Sequence, residues 1–286
     1  MQSLQKVIEL LDLEEIEQNH YRANSPNEGW QRVYGGQVIG QALVAASKTV
    51  EESRHAHSLH GYFLRAGDTS IPILYKVDRI RDGKSFTTRR VVAVQKGQPI
   101  FAMSISFQVE EDGLMHQFPM PDAPDPETLV DDEEIRAEQA KRYPGAFQDS
   151  GGISSAIQMR QVEPLDLITP EKTEPRQLCW MRTREKLPNN QRLHQCVLAY
   201  LSDWSLLDTG TRPHGVSYLQ GNVQMASLDH AMWFHRPFRA DEWLLYVQDS
   251  PSGSGARGFN RGLIYNQAGD LVASTTQEGL MRLHED

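Results

Sequence analysis

Hydrophobic positions along this chain switch between a period near 3.6 and a period of two, and the order of the switches repeats. Leu4, Val7, Ile8 and Leu11 recur at helical spacing with acidic residues opposite, which predicts a short amphipathic helix packed on the body. YRANSP (21–26) reads as a short strand. The Gly35-Gly36 pair then precedes QVIGQALVAASKTV (37–50), a run of good helix formers with apolar spacing. Four segments with strand-like patterning follow: HSLHGYFLR, IPILYKVDRIRDG, SFTTRRVVAVQKG and QPIFAMSISFQVE. Arg-Asp-Gly at 81–83 and Lys-Gly-Gln at 96–98 are turn signals between them, so the strands should form antiparallel hairpins. One helix and a meander of long strands predict an α+β unit. Its sheet wraps around a central helix whose apolar stripe fills the concave face.

Residues 110–151 break the pattern. They are acidic and proline-rich, with one exposed helix predicted over DDEEIRAEQAKRY (131–143). This is a linker, too long for a hairpin. The plan then starts again. IQMRQVEPL and RQLCWMRTREK read as strands, and Pro188 and Asn189 introduce a helix over NQRLHQCVLAYLSDWSLL (190–207). VQMASLDHAMWFHRPF, EWLLYVQDS, ARGFNRGLIYNQAG and DLVASTTQEGLMRL are the matching strands.

The two stretches align residue by residue, 171 positions apart. Phe63 and Arg65 answer to Phe234 and Arg236, Leu74 and Tyr75 to Leu245 and Tyr246, Arg90 to Arg261, and Ala102 to Ala273. The helices align with another offset, Gln37 on Gln195, Leu43 on Leu201 and Ser47 on Ser205. The difference is an extra loop, DTGTRPHGVSYLQGN (208–222), in the second copy. A period this long is no solenoid. It implies one domain duplicated and fused: 1–109, the linker 110–151, and 152–286.

Composition narrows the class. The 286 residues are 39% hydrophobic and 8% aromatic, which supports packed cores. A formal net charge of −9 argues against nucleic acid as a partner, which would need a basic face. Cys179 and Cys196 form no ligand-spaced set and fit a reduced compartment. The N-terminus lacks the basic and long apolar regions of a signal peptide, and no segment is apolar enough to span a membrane. The expectation is a cytoplasmic protein without membrane insertion.

The copies differ where chemistry could lie. Asp203 answers to Ala45, Ser227 to Ala56, and Gln277 to Ser106. Read as part of the helix, Asp203 falls beside Cys196, Ala199 and Leu207, a poor place for a carboxylate unless it has partners. It could cap a turn or bond a neighbouring strand; it could equally be a general base acting on water. A hydroxyl on a strand and a surface glutamine are each ordinary. Together the three could hold a water, the carboxylate taking its proton and the other two fixing its remaining bonds.

Other chemistry has little footing. There is no G-x-S-x-G elbow, Walker A loop or G-x-G-x-x-G. His230 and His235 lack a zinc pattern and read as strand residues beside Trp233. Arg182, Arg184 and Lys186 could meet phosphates or line a solvated strand edge, and Arg257 among Gly253, Gly255 and Gly258 is a weak phosphate candidate.

VYGGQVIGQAL, HSLHGYFLRAGD, RDGKSFTTRRVVAVQKG, HAMWFHRPF, EWLLY, ARGFNRG and STTQEGLMR strongly resemble the bacterial acyl-CoA thioesterase II family over nearly the whole chain. The resemblance implies a double hot-dog fold and hydrolysis of acyl-CoA, of medium to long chain, to fatty acid and CoA. The family's catalytic aspartate falls on Asp203, its glutamine on Gln277 and its hydroxyl residue, usually threonine, on Ser227. The implied mechanism is direct attack by water without an acyl-enzyme, and no cofactor or metal. Further association into a homo-oligomer is expected. The rivals are enoyl-CoA hydration on the same fold, with Asp203 near His230, and a non-catalytic acyl-CoA binding module.

Overall fold

The computed structural model describes residues 2–25, 32–144 and 153–284. The first half contains α1 (Gln2–Leu11), β1 (Glu14–Glu17), β2 (His20–Ala23), α2 (Gly35–Ser47), β3 (Arg54–Phe63), β4 (Ile73–Asp82), β5 (Phe86–Gln95) and β6 (Gln98–Val109). A linker helix, α3 (Asp132–Arg142), follows. The second half contains β7 (Ile157–Gln161), β8 (Arg176–Thr183), α4 (Gln191–Ser202), β9 (Val223–Ser227), β10 (Asp229–Phe234), β11 (Leu244–Ser254), β12 (Arg257–Asn266) and β13 (Leu271–Leu283).

All strands join one antiparallel sheet, in the order β1-β2-β4-β5-β6-β3-β10-β13-β12-β11-β8-β7, with β9 also paired to β13. The halves meet where β3 pairs with β10, and there Ala231 lies opposite His60, the position 171 residues before it. The repeat is therefore a pseudo-twofold whose axis passes through that pair. Period-two patterning sets the inner face: Phe101, Met103, Ile105 and Phe107 of β6 all point inward and are buried.

The central helices lie antiparallel, side by side, because α2 presents Gly36 and Gly40 to the backbone of α4. A Cβ on Gly36 would sit 2.2 Å from Tyr200 O, and one on Gly40 would sit 3.1 Å from Cys196 O. Small residues one turn apart allow this approach. Ile39, Ala42, Leu43, Ala45 and Ala46 of α2 are fully buried with Val197, Leu198, Ala199 and Leu201 of α4. On the flank, Val7, Leu10 and Leu11 of α1 are buried, and Gln41 Nε2 donates to Leu10 O at 2.8 Å. The Leu4 side chain and residues 145–151 lie outside the described residues.

Five expectations change. Strand β1 was not predicted. Helix α4 stops at Ser202 rather than Leu207, because Ser205 takes a left-handed backbone, φ 63. The strand expected through 223–238 breaks at Leu228: β9 stays on β13, while β10 pairs both β13 and β3. The β12–β13 hairpin is one residue longer than β5–β6. Arg261 faces Thr276, whereas Arg90 faces Ser104. Gln277 thus stands in the place of buried Ile105, not of Ser106.

The linker, fifth, is a strap and not a free segment. Met120, Ala123 and Leu129 pack on the outer-face cluster Trp180, Trp243, Leu245 and Tyr265. Trp180 Nε1 donates to Pro124 O and Trp243 Nε1 to Glu127 Oε1, both at 2.9 Å. The predicted exposed helix is anchored by Asp131 at its N-cap, which Arg184 grips with two bonds of 3.0 Å, and by buried Asp132. Arg182 pairs with Glu127, Lys186 with Glu242 and Arg257 with Glu278, so these cations already have anionic partners. No helix among the described residues is long and apolar enough to cross a membrane.

Candidate active site

The end of α4 and the start of α2 face each other, and the three singled-out side chains meet there. Asp203 is the C-cap of α4, half-buried, with φ −82° and ψ −13°. It is neither a helix-interior residue nor fully buried, as the sequence reading had it. Its Oδ1 accepts from Gln277 Nε2 at 2.5 Å and from Ser227 Oγ at 3.3 Å. Its Oδ2 accepts from the backbone N–H of Gly36 at 2.9 Å.

Each donor has a structural reason to be there. Gln277 is fully buried on the inner face of β13, opposite Asn260 of β12. With Nε2 on Asp203, its Oε1 is buried and has no partner among the described residues. Ser227 is the last residue of β9, just before the break at Leu228 that lets β10 cross to β3. Gly36 lies in the first turn of α2, whose leading N–H groups have no intrahelical acceptor.

That last contact decides the electrostatics. A carboxylate at the end of its own helix meets the negative pole of the macrodipole, an unfavourable term of about 0.3–1 kcal/mol. The N-terminus of α2 opposes it with a positive pole and a direct charge-assisted bond. The first turn of α2 contains no acidic residue; the second half supplies the anion. The first half is therefore part of the constellation, although the three residues singled out from the sequence all lie in the second.

Neighbours shape the surroundings. A Cβ on Gly35 would lie 2.6 Å from Asp203 Oδ2, so glycine there keeps the carboxylate accessible. Tyr34 donates to Tyr200 O at 3.0 Å and stands edge-on to Trp204, centroids 5.7 Å apart. Burial first, and the Asp203 charge second, push the Tyr34 hydroxyl well above its ordinary pKa, so it stays neutral. His230 is buried with Nε2 2.9 Å from Ser202 Oγ. Because that hydroxyl already donates to Ala199 O, His230 Nε2 carries the hydrogen. Burial pushes its pKa down to about 4 against the pull of Asp203, which keeps the ring neutral. Asp203's described hydrogen bonds do not include His230, and His235 instead contacts Ser274 Oγ at 2.8 Å. No group of three or more His, Cys, Asp or Glu among the described residues could hold a metal ion.

Sequence reasoning missed Gly36, Gly35 and Tyr34 as site residues. The signal was present: two glycines opening a helix mark a backbone that something approaches closely.

The family described as "Acyl-CoA thioesterase" matches residues 160–280, and its "Acyl-CoA thioesterase N-terminal domain" matches 25–108. "Acyl-CoA thioesterase 2" of Haemophilus influenzae is 36% identical, over 99% of this chain and 99% of its own. The chain belongs to the acyl-CoA thioesterase II family. Within it, "Acyl-coenzyme A thioesterase 8" of Homo sapiens is 42% identical over 97% of this chain and 89% of its own length. The crystal structure of TesB2, an acyl-CoA thioesterase II from Mycobacterium marinum, superposes with a TM-score of 0.80 at 45% identity, covering 98% and 99% of the two chains. An Alicyclobacillus acidocaldarius protein described as having a hot-dog fold aligns with a TM-score of 0.79 at 17% identity, covering 98% of each chain, and shows the fold alone. This thioesterase II chain is thus a double hot-dog in which one helix of each half fills the concave face of its sheet.

Proposed function

We propose that this thioesterase hydrolyses medium- to long-chain fatty acyl-CoA by direct attack of water held between Asp203 and Gln277. The observation that carries the reading is the convergence on one carboxylate of a carboxamide, a hydroxyl and a helix N-terminus. Asp203 accepts the proton of the attacking water, whose second hydrogen bonds Gln277 Oε1. Ser227 and Gln277 Nε2 hold Oδ1 in place. The new C–O bond forms as the thioester carbonyl becomes an oxyanion. First-turn N–H groups of α2 supply the positive end that such a charge needs. Collapse breaks the C–S bond, and the proton on Asp203 leaves with the CoA thiolate. No side chain becomes acylated.

In this reading residues 1–109 supply the helix N-terminus and residues 152–286 the carboxylate, hydroxyl and carboxamide. Of the linker 110–151, the described part up to residue 144 straps the second half of the sheet. The cytoplasm is the proposed compartment, where the free, buried Cys179 and Cys196 stay reduced, and a homo-oligomer is the proposed working form.

The test is free-thiol release from acyl-CoA of graded chain length, with enoyl absorbance followed in parallel and the reaction run in ¹⁸O-labelled water. Thiol release peaking at medium to long chains, with one label in the acid and no acyl-enzyme burst, is expected. Loss of enoyl absorbance without thiol release would instead indicate hydration. Tight binding with neither signal would indicate a non-catalytic module.

A further inference from the structure

Two residues after Asp203, Ser205 has φ 63, a left-handed backbone that a non-glycine residue adopts only at a cost. Its counterpart in the first copy is Ser47, the last helical residue of α2. The same residue type thus ends one helix and kinks the other, so the local residue does not decide the conformation. The surroundings do.

In the second half three buried polar side chains converge on Ser205. Gln177 Nε2 donates to Ser205 O at 2.9 Å and to Thr209 Oγ1 at 3.0 Å, and it also reaches Gln248 Oε1. Gln248 Nε2 donates to Ser205 Oγ at 3.2 Å, and Thr209 Oγ1 donates to Gln248 Oε1 at 3.0 Å. Gln177, Gln248 and Thr209 are all buried, so each unmade bond would be expensive. The pairings Asp78 with Arg90 and Asp249 with Arg261 keep β4 and β11 in register. That register puts Val77 in the place of Gln248. The first half has no carboxamide there to hold a kink, and α2 runs on to Ser47.

We propose that Ser205, Gln248, Gln177 and Thr209 form a positioning device for Asp203. The network holds the left-handed turn, the turn ends α4 at Ser202, and Asp203 is left at the C-cap. There its carboxylate reaches Gly36, Ser227 and Gln277 together. None of the four touches the reacting atoms, and the proposal rests on reading Asp203 as the base.

The test uses the full chain and two substitutions of opposite backbone preference. Ser205→Val resists the left-handed region, being β-branched, while Ser205→Gly accepts it freely. Ser205→Val should lower kcat about 10–100-fold, with KM changed by less than about twofold. Ser205→Gly should stay within about threefold of wild type, which loss of a side-chain contact alone would not give. Gln248→Leu should also lose kcat, and adding Ser205→Gly to it should restore part of the loss. Asp203→Asn runs beside them. If it remains active, the base reading fails whatever Ser205 does. If it is inactive while folded Ser205→Val turns over like wild type, the positioning device alone is overturned. Should Ser205→Val not fold, unchanged kcat in Gln248→Leu overturns it instead.

Discussion

Where α2 begins, the Gly36 N–H meets the carboxylate of Asp203 at the end of α4. Where α4 begins, the Arg192 guanidinium meets carbonyls at the end of α2 and along the turn into β3: Ser47 O at 3.0 Å, Val50 O at 3.3 Å and Arg54 O at 3.2 Å, with Glu51 O beside them. These are pseudo-equivalent ends of one helix pair, and at each a side chain from α4 or its cap bonds backbone groups at or just beyond a terminus of α2. They do so with opposite charge. At one end a half-buried carboxylate is held by three donors. At the other a guanidinium saturates carbonyls, and Ala45 and Ala56 line the core in place of Asp203 and Ser227. Duplication gave two such ends, and in the proposed reading only one of them carries a base.

The largest effect is expected from giving the Arg192 end a carboxylate like that of the Asp203 end. Ala45 is fully buried among apolar side chains, so Ala45→Asp places a carboxylate in the core. A loss of about 3–5 kcal/mol in denaturant unfolding is expected, with no gain in thiol release. Gly36→Ala attacks the Asp203 end through packing. Its Cβ would meet Tyr200 O at 2.2 Å, so the helices must separate. Both the melting temperature and kcat should fall, the latter about 100-fold.

Gln277→Ile restores the first-half residue of the same register. A drop of about 10²–10³ in kcat is expected, with thermal stability equal to or above wild type, because an orphaned buried Oε1 is removed along with the carboxamide. His230 makes the Asp203 end sensitive to acid. Its folded pKa of about 4 lies below the ordinary 6.5, so unfolded chains bind more protons between those values. Its contribution to stability is full above pH 6.5 and declines toward pH 4, by on the order of 3 kcal/mol. Asp208 works the other way: burial pushes its carboxyl up to about 6, so its contribution is lost as pH rises through that value. Melting curves against pH should show a flatter acid limb for His230→Gln than for wild type. The smallest effect falls on Ser227, whose 3.3 Å bond to Asp203 is the longest of the three. Ser227→Ala should cost about tenfold in kcat, and Ser227→Thr should remain near wild type.

Much of this comparison could be read from the chain. The alternation of β6 and β13, the long helices and the 171-residue repeat carried the fold, because burial of one face imposes a period that sequence displays directly. Asp203 and Ser227 stood out because their counterparts are alanines. Gln277 was found against the wrong partner: one extra hairpin residue moves it from the place of Ser106 to that of Ile105, a shift visible only in strand pairing. The stop at Ser202 was hidden for a different reason. Ser205 is no helix breaker by type, and its kink is held by Gln177, Gln248 and Thr209, which are remote or outside the helix pattern. Gly36's role was also hidden, since it lies in its bond to a side chain 167 positions away. Tertiary partners, not propensity, set both.

In the proposed mechanism, thiol release depends on the carboxylate held at this one end. Asp203→Asn keeps the shape of the side chain and removes the base, so it tests that dependence with the least disturbance. Free-thiol release and acyl-CoA binding should be measured on the same folded preparation. A kcat lower by about 10²–10⁴ is expected, with acyl-CoA affinity within about threefold of wild type. Turnover near the wild-type rate would contradict it.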